Sequence, residues 1–114
     1  MEYWGYHLIL DCKNGALEQV KSVDNIKRFV EVLVKEIDMV ASGEPTIKHF
    51  ATHNEDAAGY SLVQLIETSS ITGHFVDKNG DCYIDIFSRK SFDIETAKSV
   101  VNKYFSPKQI KVTY

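Results

Sequence analysis

Residues 59–90 read GYSLVQLIETSSITGHFVDKNGDCYIDIFSRK and place three consecutive hydroxyl side chains, Thr68, Ser69 and Ser70, ahead of His74. A serine near a histidine suits nucleophilic chemistry. The imidazole, with an ordinary pKa of about 6.5, can accept the hydroxyl proton as the oxygen attacks a carbonyl carbon. Taken alone the grouping is weak, because hydroxyl residues between apolar strands are more often turn or edge residues. The five-residue spacing from Ser69 to His74 fixes no third member of a triad.

The elements that must position these residues follow from hydrophobic periodicity. Tyr6–Leu10 (YHLIL) has strand length and stops at Asp11 and the Asn14-Gly15 pair. Asp24–Ala41 carries Ile26, Phe29, Val30, Leu33, Ile37 and Val40 every three or four positions, which predicts an amphipathic helix capped by Asp24 and ended by Ser42-Gly43 and Pro45. Thr46–Phe50 reads as a short strand, residues 51–59 as a polar loop and Tyr60–Glu67 as a central strand. Ile71–Val76 and Cys82–Ser88 flank a turn whose Asn79-Gly80 pair favours a hairpin. Asp93–Phe105 predicts a second helix, ended by Pro107, and Gln109–Tyr114 a closing strand.

The expected order is β-α-β-β-β-α-β. It gives an α+β, two-layer sandwich: a mainly antiparallel sheet with two helices on one face. Strands such as Tyr83–Phe87 (YIDIF) carry apolar residues along their length, so the other face also needs a cover. A homodimer would supply it. The 114 residues suit a single domain, 1–114, which buries about two-thirds of its unfolded surface.

Composition narrows the partners. The net charge is −3 and there is no basic run, Pro107–Lys111 being too interleaved, so neither nucleic acid nor an anionic membrane surface is expected. No apolar stretch approaches the roughly 20 residues of a membrane span, and residues 1–6 (MEYWGY) lack the regions of a signal peptide. Cys12 and Cys82 lie far apart without a CxxC motif. They are read as reduced thiols of a cytoplasmic protein, forming neither a disulfide scaffold nor a metal site.

Gly5-Tyr6-His7-Leu8-Ile9-Leu10-Asp11, Glu67-Thr68-Ser69-Ser70-Ile71-Thr72-Gly73-His74-Phe75 and Tyr83-Ile84-Asp85-Ile86-Phe87-Ser88 carry a wider pattern. Through them, and through the order of elements, nearly the whole chain resembles the small bacterial and archaeal S-adenosylmethionine decarboxylases. The family's usual processing segment reads Glu-Ser-His; here Thr68-Ser69-Ser70 stands in its place, and a branch with Glu-Thr-Ser and a following His-Phe is closer.

The resemblance implies a proenzyme that cleaves its own Thr68–Ser69 bond. Ser69 would become a covalent pyruvoyl group, the only cofactor. That carbonyl forms a Schiff base with the substrate amine and acts as an electron sink during loss of carbon dioxide. It also implies that His74 and Ser61 assist processing, that Glu67 and, more loosely, Phe50 lie near the substrate, and that the product feeds spermidine synthesis. Because the loop before Ser61 is longer than usual, Phe50 is read more readily as a core phenylalanine than as a substrate contact.

The pattern departs from the family at Arg89, where the catalytic cysteine is expected. A guanidinium stays protonated and is a poor general acid, although it can hold a carboxylate bidentately. Cys82 lies seven residues earlier, at the other end of the same strand. Two alternatives to decarboxylation of S-adenosylmethionine therefore stand. One is a pyruvoyl decarboxylase of another amino acid, such as ornithine or arginine. The other is a non-processing homologue that binds a nucleoside or a partner subunit.

Overall fold

The computed structural model describes residues 3–114. β1 (Tyr6–Lys13) runs past the expected stop at Asp11. Its inward residues Leu8, Leu10 and Cys12 are fully buried, so the strand continues while alternate side chains still have a core to enter. The chain turns at Asn14, whose φ of 53° lies in the left-handed region that asparagine tolerates. One helical turn not foreseen from the periodicity follows, α1 (Leu17–Val20), and it buries Val20.

α2 spans Val23–Glu36, shorter than the expected 24–41. Its cap is Ser22, whose hydroxyl accepts the Asn25 N–H at 3.1 Å; Asp24 sits in the first turn instead, where its charge suits the helix dipole. The helix ends early because Asp38 adopts a φ of 59°. The Met39 N–H then bonds back to the Val34 carbonyl at 2.9 Å and the Asp38 N–H to the Lys35 carbonyl at 3.1 Å, which closes a Schellman motif. The remainder of the expected helix lies along the sheet edge: Ala41 bridges Ile66, and the Ser42 N–H reaches the Leu65 carbonyl.

The other elements are β2 (Thr46–Phe50), β3 (Gly59–Ile66), β4 (Ser69–Val76), β5 (Cys82–Ser88), α3 (Ile94–Phe105, capped by Asp93) and β6 (Gln109–Thr113). Four strands separate α2 from α3, one more than the expected order counted; Thr46–Phe50, read as a strand from the sequence, pairs along its whole length with β3. The sheet order is β2-β3-β4-β5-β1-β6, and every neighbouring pair is antiparallel.

α2 and α3 meet through Phe29 and Phe105, whose rings lie 4.7 Å apart, and Phe75 of β4 packs on Phe105 at 4.9 Å. Along β3, β4 and β5 the residues Leu62, Ile66, Ile71, Phe75, Ile84 and Ile86 face this core. The alternate residues face away from it, leaving Phe50, Val63, Leu65 and Tyr83 exposed. No helix among the described residues is long and apolar enough to cross a membrane.

The far end of the β4–β5 hairpin is tied to β1 by charge. Asp81 is 4% exposed and accepts the Asn14 N–H at 3.0 Å and the Lys13 ammonium at 3.2 Å. Burial alone would raise this carboxyl, but the Asn14 amide and Lys13 outweigh it and hold it below the ordinary carboxylate range. Gly80, with a φ of 79°, makes the turn where a Cβ would collide with the Gly15 carbonyl.

Two stability predictions follow from this packing. Phe29→Ala is expected to lower the unfolding free energy by about 3–5 kcal/mol in urea titrations, with the slope of the transition unchanged. A carboxyl whose pKa is depressed on folding stabilises above its unfolded pKa of about 3.9, and that contribution is lost as pH falls through the folded value. Asp81→Asn should therefore melt below the parent protein at pH 7, with the gap closing as pH drops below about 4. A gap constant from pH 7 to 2 would refute this role of Asp81.

Candidate active site

The hydroxyl cluster occupies the closed end of the β3–β4 hairpin. Ile66 and Ser69 form the last pair, leaving Glu67 and Thr68 as a two-residue loop. Such loops favour positive φ at their central residues, yet neither Glu67 nor Thr68 adopts it; Ser69, next along, has a φ of 157°, close to fully extended. The Glu67 N–H is held by the Val40 carbonyl at 2.9 Å, while its side chain is exposed.

Thr68 is anchored at two points. Its carbonyl accepts the backbone N–H of Arg89 at 2.9 Å. Its hydroxyl lies 2.8 Å from the Ser88 hydroxyl, and both hydroxyls face the Met39 sulfur, at 3.4 and 3.6 Å. Ser88 is fully buried and also accepts the Lys90 N–H at 3.0 Å. The Schellman turn delivers Met39 to this place, and Lys90 braces that turn through the Asp38 carbonyl at 2.7 Å and carboxylate at 2.9 Å. Ser88 and Met39 were not singled out from sequence. For Ser88 the signal was available: it shares the parity of Cys82, Ile84 and Ile86 on β5.

Ser69 pairs with Ser88 across the β4–β5 ladder and is half-buried. Beside it the Arg89 side chain turns outward, with its guanidinium 5.6 Å from the centre of the Trp4 ring. Trp4 in turn stacks on Phe87 at 5.9 Å, and His7 meets Phe87 edge-on and pairs with Asp85 at 2.8 Å. Arg89, Tyr3, Tyr6, His7 and Tyr114 line an open cleft of about 680 Å³. Trp4 is a further residue that sequence reasoning missed; its aromatic neighbours in MEYWGY were the only cue.

The remaining expected site residues lie elsewhere. Ser61 and His74 are partners across the β3–β4 ladder, with the Ser61 hydroxyl 3.0 Å from His74 Nδ1. Both lie on the sheet face turned away from the helices, and Phe50, paired with Gly59, shares that face. Ser69 has the opposite parity, with Ile71 and Phe75. Five residues of strand separate Ser69 from His74, about 17 Å at the rise of an extended chain. Within one chain the expected site is therefore two groups: Glu67, Thr68, Ser69 and Arg89 at the hairpin end, and Phe50, Ser61 and His74 in mid-sheet.

Cys12 and Cys82 face each other across β1 and β5 as free, buried thiols. Cys82 is at the opposite end of β5 from Arg89. The neighbouring Cys12 thiol, through a hydrogen bond, and then burial push its thiol above the ordinary range. Among the described residues no group of His, Cys, Asp and Glu is arranged to hold a metal ion.

Fold and hairpin together define a two-layer α+β protein with an anchored hydroxyl cluster at the closed end of a sheet hairpin. The family model described as S-adenosylmethionine decarboxylase matches residues 6–114. The chain belongs to that family, the carboxy-lyases that act on S-adenosylmethionine. The crystal structure of the adenosylmethionine decarboxylase from Aquifex aeolicus VF5 is similar, with a TM-score of 0.79 at 19% identity, covering 99% of this chain and 89% of that one. At that identity the likeness speaks to the fold. No curated protein matches the sequence.

Proposed function

We propose that this chain, as a single domain spanning 1–114, is a cytoplasmic proenzyme that cleaves itself between Thr68 and Ser69 to make its own pyruvoyl group. As a decarboxylase of S-adenosylmethionine it would supply the aminopropyl donor for spermidine synthesis. The observation that carries the reading is the anchoring of Thr68. The residue before the reactive serine is held at its carbonyl and at its hydroxyl, while Arg89, next after the Ser88 that pairs with Ser69, lines an open cleft with Tyr3, Tyr6 and Tyr114. Self-cleavage needs a scissile bond kept in one geometry, and a hydroxyl fastened to buried Ser88 supplies that.

The residues present fit a pyruvoyl group at position 69, which is half-buried and lies between Ser88 on one neighbouring strand and Ile66 on the other. When formed, that group supplies a ketone able to engage the substrate amine and to accept the electron pair left by the carboxylate. The chain's own residues bind and orient. Tyr6 and Tyr114, which line the cleft, offer aromatic faces to a sulfonium nucleoside, and Glu67, with Phe50 of a second copy, completes the substrate contacts. Arg89, always protonated, can hold a carboxylate but does not return a proton readily.

The split between the two residue groups supports a homodimer. Ser61 and His74 are too distant to serve Ser69 of their own chain, and they lie on the exposed, partly apolar face that a second copy would cover. His74 of one copy, held by Ser61, is the base for Ser69 of the other.

Intact mass of the purified protein tests the processing. Two fragments divided between residues 68 and 69, the second blocked by pyruvoyl, are expected; a persistent full-length species would overturn the reading. The shared site has its own test. His74→Ala alone should cleave at least tenfold more slowly, and co-expression with a Ser69→Ala chain should restore cleavage of the His74→Ala chain. Failure to restore it places His74 in the site of its own chain. For turnover, Arg89→Cys in the processed enzyme should raise carbon dioxide release from S-adenosylmethionine about tenfold or more, because a positioned acid contributes on the order of 10²–10⁴. No gain would mean that the proton comes from another donor.

A further inference from the structure

We infer that the group which stabilises the developing charge during self-cleavage is the backbone N–H of Arg89, acting on the Thr68 carbonyl oxygen. This rests on the self-cleavage reading and adds to it the identity of one donor.

The step fixes where a donor must be. The Ser69 hydroxyl adds to the Thr68 carbonyl carbon and gives up its proton to a base, and the carbonyl π electrons move onto the Thr68 oxygen. That oxygen is then the only full negative charge in the five-membered ring. Collapse re-forms the carbonyl, breaks the Thr68 C–Ser69 N bond and protonates the departing nitrogen, leaving an ester between Thr68 and the Ser69 oxygen. Removal of the Ser69 α-proton then expels the Thr68 carboxylate. The dehydroalanine that remains takes up water and loses ammonia to give the pyruvoyl end. The first step is the one that places charge on the Thr68 oxygen, and a donor aimed at that atom beforehand costs no reorganisation when the charge arrives.

Arg89 meets the geometric requirement. Its nitrogen lies 2.9 Å from the Thr68 carbonyl oxygen before reaction, so the donor already points at the atom on which the charge develops. It is also fixed in place. The β4–β5 ladder pairs Ser69 with Ser88, so residue 89 continues directly from a paired strand. The Ser88 hydroxyl holds Thr68 by its side chain and accepts the following N–H, that of Lys90. Buried Ser88 and Met39 keep water from this side, which strengthens a dipole–charge interaction.

The guanidinium of the same residue is not the donor, for it turns away to Trp4. A main-chain donor is present whatever side chain stands at the position. The departure from the family at residue 89 thus falls on substrate turnover and leaves oxyanion stabilisation in place.

The test removes one N–H and keeps the side chain. Replacing Arg89 by its α-hydroxy acid converts the amide to an ester and retains the guanidinium. A second chain carries the same change at Val76, whose N–H donates to the Asp81 carbonyl at 2.8 Å at the far end of the hairpin. Cleavage should slow on the order of 10²–10³-fold with the change at 89 and stay near the parent rate with the change at 76. Hydroxylamine should cut the slowed chain at the installed 88–89 ester but release no fragment divided between residues 68 and 69, since the block precedes the acyl shift.

Equal rates for the two modified chains overturn the inference and leave self-cleavage standing. An unmodified chain that never cleaves overturns both. Should the change at 89 prevent folding, the uncleavable Ser69→Ala chain, with its backbone intact, provides a second measurement. A through-hydrogen-bond coupling between Arg89 ¹⁵N and Thr68 ¹³C is expected by NMR, and its absence overturns the inference.

Discussion

The register of β4 between β3 and β5 is the constraint on which the rest of the molecule depends. Pairing of Ile66 with Ser69 and of Ser69 with Ser88 sets, in one stroke, the length of the loop before Ser69 and the residue opposite it. A slip of one residue would move Ile71 and Phe75 from the core to solvent, so burial enforces the pairing. The same pairing brings the carbonyl of Thr68 to the N–H of Arg89 and its hydroxyl to Ser88. Geometry that reactive chemistry needs is thus held in place by apolar packing several residues away.

One-sided burial explains the distribution of the remaining residues. Both long helices lie on one face and enclose Phe29, Phe75 and Phe105. The other face carries Phe50, Val63, Leu65 and Tyr83 in the open, interleaved with Ser61 and His74. Sheet faces left partly apolar are costly in water, and their polar members are then available to whatever covers them. The Ser61–His74 pair and the hairpin end are consequently two separate groups in a single chain.

Legibility in the sequence followed the nature of the signal. The alternation of β3, β4 and β5 and the three-to-four spacing of α2 and α3 report burial directly, and those elements lie where the pattern placed them. Boundaries were less legible. β1 outran Asp11 because Cys12 still had a core to enter, and α2 stopped at Glu36 because Asp38 took a left-handed conformation that periodicity does not encode. Thr46–Phe50 was read as a strand with the bounds it has, although it holds its place by ladder pairing more than by burial. The family was readable from local residues and the burial of Ser88 from its parity on β5, whereas the meeting of Thr68 with Met39 and of Arg89 with Trp4 was not, because those partners are distant in sequence.

By itself the sequence determined the fold class, the family and the residues at which chemistry is possible, because hydrophobic period and local residue order survive without any three-dimensional information. Only the tertiary structure decided which of those residues meet. Strand pairing anchors Thr68 between Arg89 and Ser88, and the strict alternation of side chains across the sheet sends Ser69 and His74 to opposite faces about 17 Å apart. A five-residue spacing has the odd parity that produces this separation, but parity acquires its meaning only once a strand is paired and one face is buried.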